Sequence, residues 1–335
     1  MVRLSRCALT SACCLLSAMG TAQTVTEFSQ GITPNSAPWG ITAGPDGNIW
    51  FTEIAANRIG RITPSGVVTE FSDGIPAGAR LESITAGADG NLWFTEANAN
   101  KIGRMTPDGQ VTQYQQGLRS NAGPWYITGG PDGNLWFTEG GNLNTVGRIT
   151  TAGVITEFQL ITGDAEPFGI VGGPDGNVWF AEEGFNGDSK IGRITPDGQV
   201  TEFSAGITPD TAPLNIAVGS DGNLWFCDEF GGRIGRITTD GVVTEFPGAA
   251  MSRVFGITGG PDGNLWYTDL NVDKVGRITL DGLATEFSTG ISPGAQPVNI
   301  VMGPDGNLWF TEYGTGFIAR ISLGDVDPIF GNGFD

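Results

Sequence analysis

Apolar and polar positions along this chain alternate in short runs separated by turn signals, and one order of runs returns throughout. In the first copy an apolar run at residues 40–43 meets the turn Gly44-Pro45-Asp46-Gly47 and then Ile49-Trp50-Phe51-Thr52-Glu53. A loop leads to Ile59-Gly60-Arg61-Ile62-Thr63, a second Pro-x-Gly turn follows, and residues 67–71 read Val-Val-Thr-Glu-Phe. These runs are too short for helices and rich in β-branched and aromatic residues, so they predict strands. Proline presets the first central turn position and glycine takes the left-handed one, which closes each pair into a hairpin. Because the runs are apolar on both faces, each unit is expected to lie between two neighbours.

The string Asp-Gly-Asn-x-Trp begins at Asp46, Asp89, Asp132, Asp175, Asp221, Asp262 and Asp305, at spacings of 43, 43, 43, 46, 41 and 43 residues. That period and four strands per unit predict an all-β, seven-bladed β-propeller with antiparallel blades, strands A to D running from axis to rim. The seventh copy has no Val-Thr-Glu-Phe strand after residues 318–322. The missing strand stands at the other end of the chain, as Thr24-Val25-Thr26-Glu27-Phe28, and is expected to complete blade seven and close the ring.

Composition changes this picture in three ways. Residues 1–22 read as a signal peptide, with Arg3 and Arg6 before an apolar run and small residues at Gly20 and Ala22. The propeller is then expected over 23–322, exported to the periplasm or beyond the cell, with 323–335 as a Gly-rich, disordered tail. Three of the four cysteines leave with the leader and Cys227 remains, so no internal disulfide can form. A formal charge of −19 argues against nucleic acid or an anionic membrane as partner. The chain has no histidine at all. A monomer without an organic cofactor is expected.

The D–A and B–C loops share one face of the disc and vary between copies, so a site is expected there. Two rings can be read on it. Strand B ends in an acid in every copy: Glu53, Glu96, Glu139, Glu182, Asp228, Asp269 and Glu312. Strand A starts with Trp39, Glu82, Trp125, Phe168, Leu214, Phe255 and Val298. Carboxylates gathered near an axis need cations or N–H groups, so Mg²⁺ or Ca²⁺ held by Glu82, Glu166, Glu182, Glu139 and Glu96 is one expectation. Seven identical acids tying down seven loops is the other. Residues that break the repeat are the stronger candidates: Trp39, Trp125, Tyr126, Phe168 and Phe255 as a platform for a small aromatic or peptide-like ligand, although packing between blades explains them equally well. Blade four has a longer B–C loop, at residues 183–190.

Repeats such as Pro38-Trp39-Gly40-Ile41-Thr42-Ala43-Gly44-Pro45-Asp46-Gly47-Asn48-Ile49-Trp50-Phe51-Thr52-Glu53, followed by Ile59-Gly60-Arg61-Ile62-Thr63, resemble the streptogramin B lyase (virginiamycin B lyase) family over residues 24–322. The resemblance implies a seven-bladed fold and a Mg²⁺-dependent elimination that opens the ester ring of a cyclic depsipeptide antibiotic. It implies glutamates at strand-B ends that help hold the metal, matched here by the acidic ring. It also implies a histidine base at the start of strand A, where this chain has Trp39, Glu82, Trp125, Phe168, Leu214, Phe255 and Val298. A base would then have to be a carboxylate with a raised pKa, such as Glu82, or a tyrosine, Tyr126. Two functions follow: ligand binding without the histidine chemistry, or a carbon–oxygen lyase with an atypical base.

Overall fold

The computed structural model describes residues 23–141, 144–184, 188–247 and 251–323. Within them the strands gather into seven four-stranded antiparallel sheets. In blade one, strand A is Pro38–Ala43, B is Ile49–Glu53, C is Arg58–Ile62 and D is Val68–Phe71, paired in that order. The A strands of successive blades pack on one another all the way round, blade seven on blade one included, so they line the axis. The chain is a seven-bladed β-propeller. Its single helical feature among the described residues is a 3₁₀ turn, Leu270–Val272.

Thr24–Phe28 is the outer strand of blade seven, in register from Thr24 opposite Ser322 to Phe28 opposite Ile318. The expected leader lies outside the described residues, and so does the tail except Leu323. That residue packs against blade seven with Val275 and Ile321, so the packed domain runs one residue past the expected boundary.

The repeat motif has a direct physical reading. The indole of Trp50 donates to Asp46 Oδ1 at 2.9 Å, Asn48 Nδ2 donates to Asp46 Oδ2 at 2.8 Å, and Gly47 supplies the turn's φ of 75°. The Asp–Trp bond recurs in all seven blades. Burial alone would raise the Asp46 carboxyl, but hydrogen bonds from Trp50 and Asn48 outweigh it and leave it lowered. Each strand-B tryptophan is fully buried and stacks on the strand-D aromatic, as Trp50 on Phe71 at 5.3 Å between centroids. The Arg61 guanidinium lies over both rings at 5.5 and 5.6 Å and donates to Pro107 O in the next blade. Gly60 is obligatory here, because a Cβ would sit 2.1 Å from Phe51. The strand-C arginines Arg61, Arg104, Arg148, Arg193 and Arg236 are therefore clamps between blades, and Arg320 joins blade seven to blade one through Pro64 O at 2.9 Å.

Candidate functional site

Every blade has a β-bulge at the start of strand A, where pairing with strand B shifts between Pro38 and Ile41 and its equivalents. A bulge re-aims side chains, and here two rings of residues face the axis. The strand-B threonine holds the bulge in place: Gly40 N donates to Thr52 Oγ1 at 2.9 Å. The same hydroxyls reach into the next blade, Thr95 to Trp125 O at 2.6 Å, Thr138 to Phe168 O at 2.8 Å and Thr311 to Trp39 O at 2.9 Å. In blade five Cys227 replaces the threonine, and Asn215 Nδ2 donates to Phe255 O instead, at 2.9 Å.

The first bulge position lines a cleft of about 210 Å³ with Trp39, Glu82, Trp125, Phe168, Leu214 and Phe255. Their rings meet edge to face in an arc across the axis: Trp39 and Phe255 at 5.3 Å, Phe255 and Phe168 at 5.9 Å, Phe168 and Trp125 at 5.1 Å. Phe255 is only 3% exposed and forms the floor, while Trp39, Trp125 and Phe168 remain open at the mouth. The second position is Gly40, Ser83, Tyr126, Gly169, Asn215, Gly256 and Asn299. Among these mostly small residues Tyr126 reaches across the axis, with its hydroxyl facing Asn215, Asn299 and Trp39. It separates the cleft from a second cavity of about 170 Å³ further down the channel. Burial pushes the Tyr126 hydroxyl well above its ordinary range, so at neutral pH it keeps its proton and serves as a donor rather than as a base.

Of the carboxylates expected to bind metal, only Glu82 lines the cleft. It is 4% exposed, ion-paired with Arg80, and raised in pKa by burial despite that arginine. Glu166 has the left-handed φ of 42°, lies beside Asp164 and Glu183, and is not part of the cleft lining. Glu96, Glu139 and Glu182 lie inside their blades, along with the other strand-end acids. Glu139 faces Glu157 of strand D and Glu182 faces Glu202, while Glu96 accepts from Gln113 Nε2 at 2.9 Å. The strand-C cation is taken by the strand-D acid, as in Arg58–Glu70 at 2.7 Å and Lys190–Glu202 at 3.2 Å. Burial first, then the facing carboxylate, pushes Glu139 and Glu182 up to about 8. Burial raises Glu96 to about 7. Asp269 has a different task, accepting from the backbone of Ser252 and Arg253 and so setting Arg253 at the cleft.

These residues do not fit a divalent cation. A metal needs deprotonated ligands converging on one point. Of the expected ligands only Glu82 reaches the cleft, and no group of three or more Cys, Asp or Glu among the described residues is placed to hold an ion. At the cleft, Glu82 and Glu229 are paired with arginines instead, Arg80 and Arg253. One residue beyond each strand-end acid the side chain points the other way, and there Glu183 and Glu229 line the mouth together with Arg80 and Arg253. Glu229 accepts from Arg253 Nε at 2.7 Å. The sequence reading had not singled out Arg80, Glu229 or Arg253. The available signals were the arginines Arg80 and Arg253 at a position that is Ala37, Gly123, Glu166, Ala212 and Gln296 in the other copies, and the break to Asp-Glu-Phe at 228–230.

Fold and cleft together define the class: a seven-bladed β-propeller with an aromatic cleft at one end of its axis. The chain belongs to the virginiamycin B lyase family, whose profile matches residues 15–204 and 187–327. It is similar to a streptogramin B lyase at 35% identity, covering 90% of this chain and 97% of that one with a TM-score of 0.82. Virginiamycin B lyase from Staphylococcus aureus is similar at 36% identity, 90% and 99% coverage, and a TM-score of 0.82. A catalytically inactive histidine-to-alanine variant of that enzyme, with quinupristin, matches at the same identity and TM-score.

Proposed function

We propose that this chain is an exported, monomeric propeller that binds an aromatic or peptide-like small molecule in the axial cleft, without the histidine-based elimination of its relatives. The observation behind the reading is the aromatic arc, built from the residues that break an otherwise uniform repeat. The relative whose histidine was replaced is inactive yet appears with quinupristin, and this chain has no histidine anywhere. A cleft of about 210 Å³ takes one ring-bearing group, so a larger ligand would seat a side chain and rest on the rim. Trp39→Ala and Trp125→Ala are each expected to weaken binding of such a ligand about tenfold or more. Melting by circular dichroism should hardly move, because both rings are partly exposed. Unchanged affinity in both variants would count against the cleft.

A second reading is favoured by the 35–36% identity to the lyases and by the buried Glu82 carboxyl at the cleft. In that reading the chain is a carbon–oxygen lyase that opens a cyclic depsipeptide, with Glu82 as proton acceptor. Incubation with quinupristin and Mg²⁺, followed by mass spectrometry, separates the two. Elimination within the ring leaves the mass unchanged, so the readout is chromatographic retention and fragmentation. An unaltered cyclic ligand with measurable binding supports the first reading, and an EDTA-sensitive linear isomer would replace it with the second.

A further inference from the structure

The charges at the cleft do not cancel. Arg80 is paired with Glu82, and Arg253 with Glu229. Glu183, on the same rim, has no hydrogen-bond or ion-pair partner for its side chain among the described residues, and it is half-buried. Glu229 and Glu166 both act on it electrostatically, and Arg253, its nearest opposing charge, is already engaged. The mouth therefore carries an excess negative charge in the same cleft as the partly exposed rings of Trp39, Trp125 and Phe168. Aromatic faces attract cations through their quadrupoles, and a desolvated carboxylate attracts them through charge. Both features reject anions. The acidic chain as a whole adds a field that steers cations inward.

We infer that the cleft selects a ligand carrying an ammonium group on an aromatic or apolar body, with Glu183 as counter-ion and the Trp39–Phe255–Phe168–Trp125 arc as seat. The inference rests on the ligand-binding reading above and adds the ligand's charge to it. Burial, then Glu229 and Glu166, hold the Glu183 carboxyl above its usual range against Arg253, which is the condition a bound cation would relieve. A second mark is the hydroxyl of Tyr126, 9% exposed, which faces Asn215, Asn299 and Trp39 without a hydrogen bond of good geometry and whose oxygen can accept from an ammonium. A polar atom left so costs free energy that an incoming group can recover.

The test compares three probes of one shape by titration against tryptophan fluorescence and calorimetry: phenethylammonium, neutral phenethyl alcohol and anionic hydrocinnamate. Phenethylammonium is expected to bind about tenfold more tightly than the alcohol, with no detectable binding of the acid. Glu183→Gln should remove that preference and leave alcohol binding unchanged, while Trp39→Ala should weaken both. Equal affinity for the ammonium and the alcohol, or a preference that survives Glu183→Gln, overturns the charge assignment and leaves the binding reading standing. If Mg²⁺ alone binds and displaces phenethylammonium, the counter-ion of Glu183 is a metal and the inference falls. If none of the probes binds, the cleft is not a ligand site and both readings fail together.

Discussion

Replacing Glu53, Glu139, Glu182 and Glu312 together with glutamine is expected to raise the thermal midpoint by roughly 10 °C near pH 8 and to change it little near pH 5. These carboxyls are pushed up to about 7 for Glu53 and about 8 for the others, by burial first and by the facing strand-D acids after it. An unfolded glutamate sheds its proton near 4.5. Between that value and 7–8 the folded chain binds protons that the unfolded chain has lost, so stability falls as pH rises through this window. Below it the contribution is fully present, and above it the loss is complete. Glutamine supplies the N–H where the acid must keep an O–H, and it does not titrate. Blade two already makes the corresponding exchange on the partner strand, where Gln113 donates to Glu96. Counting only one pH unit per group gives about 1.4 kcal/mol each and about 5 kcal/mol together, at about 2 °C per kcal/mol for a domain this large. The turn aspartates act in the opposite sense, since their lowered carboxyls lose stability on strong acidification. Melting curves across pH for both proteins decide the matter. A difference that does not grow from pH 5 to pH 8 would show that the acid pairs carry no such linkage.

The second large effect is expected at the ring closure. Deleting residues 23–28 should cost at least about 4 kcal/mol and make the chain self-associate. Phe28 is the partner on which the buried Trp309 stacks, at 5.4 Å, and the Arg320 guanidinium lies over both rings. Glu27 holds the Ser292 hydroxyl at 2.7 Å, on the loop from blade six. Without the strand, Phe317–Ser322 becomes an exposed edge. Arg277 of blade six keeps its Asp262 partner at 3.5 Å but has, among the described residues, no carbonyl acceptor in the next blade of the kind that Pro107 O gives Arg61. The seam thus relies on the N-terminal strand more than any other junction relies on its own. Light scattering and urea melts measure the effect, and a synthetic peptide of residues 23–30 added in trans should restore part of the midpoint. A truncated chain that stays monomeric with its melt unchanged would refute this account of closure.

The seven Asp-Gly-Asn-x-Trp strings made the blades and the displaced strand legible, because each residue in them does the same local work in every copy. Asp46 must accept from Trp50 and Asn48, and Gly47 must turn, wherever the blade sits in the ring. The platform residues Trp39, Trp125 and Phe168 were legible for the opposite reason, as departures at a position whose backbone is fixed by the strand-B threonine. Spacing could not show which way a strand-end side chain points. Glu182 and Asp228 lie one strand out from the axis, inside their blades, and the residue after each, Glu183 and Glu229, lines the mouth. That one-residue offset is why spacing points to Glu182 as a site residue and not to Glu183 or Glu229. The pairing of Arg80 with Glu82 and of Arg253 with Glu229 was equally hidden, since Arg253 and Glu229 belong to different blades.

Tyr126 gives the cleft a dead end. A propeller axis open from face to face would let a small solute enter on one side and leave on the other, as through a sleeve. Here the phenol stands between the two cavities, so a ligand bound as proposed would leave the way it came, past Trp39 and Trp125. Dwell time is then governed by how those two rings part, and events on the far face of the disc are insulated from the occupant.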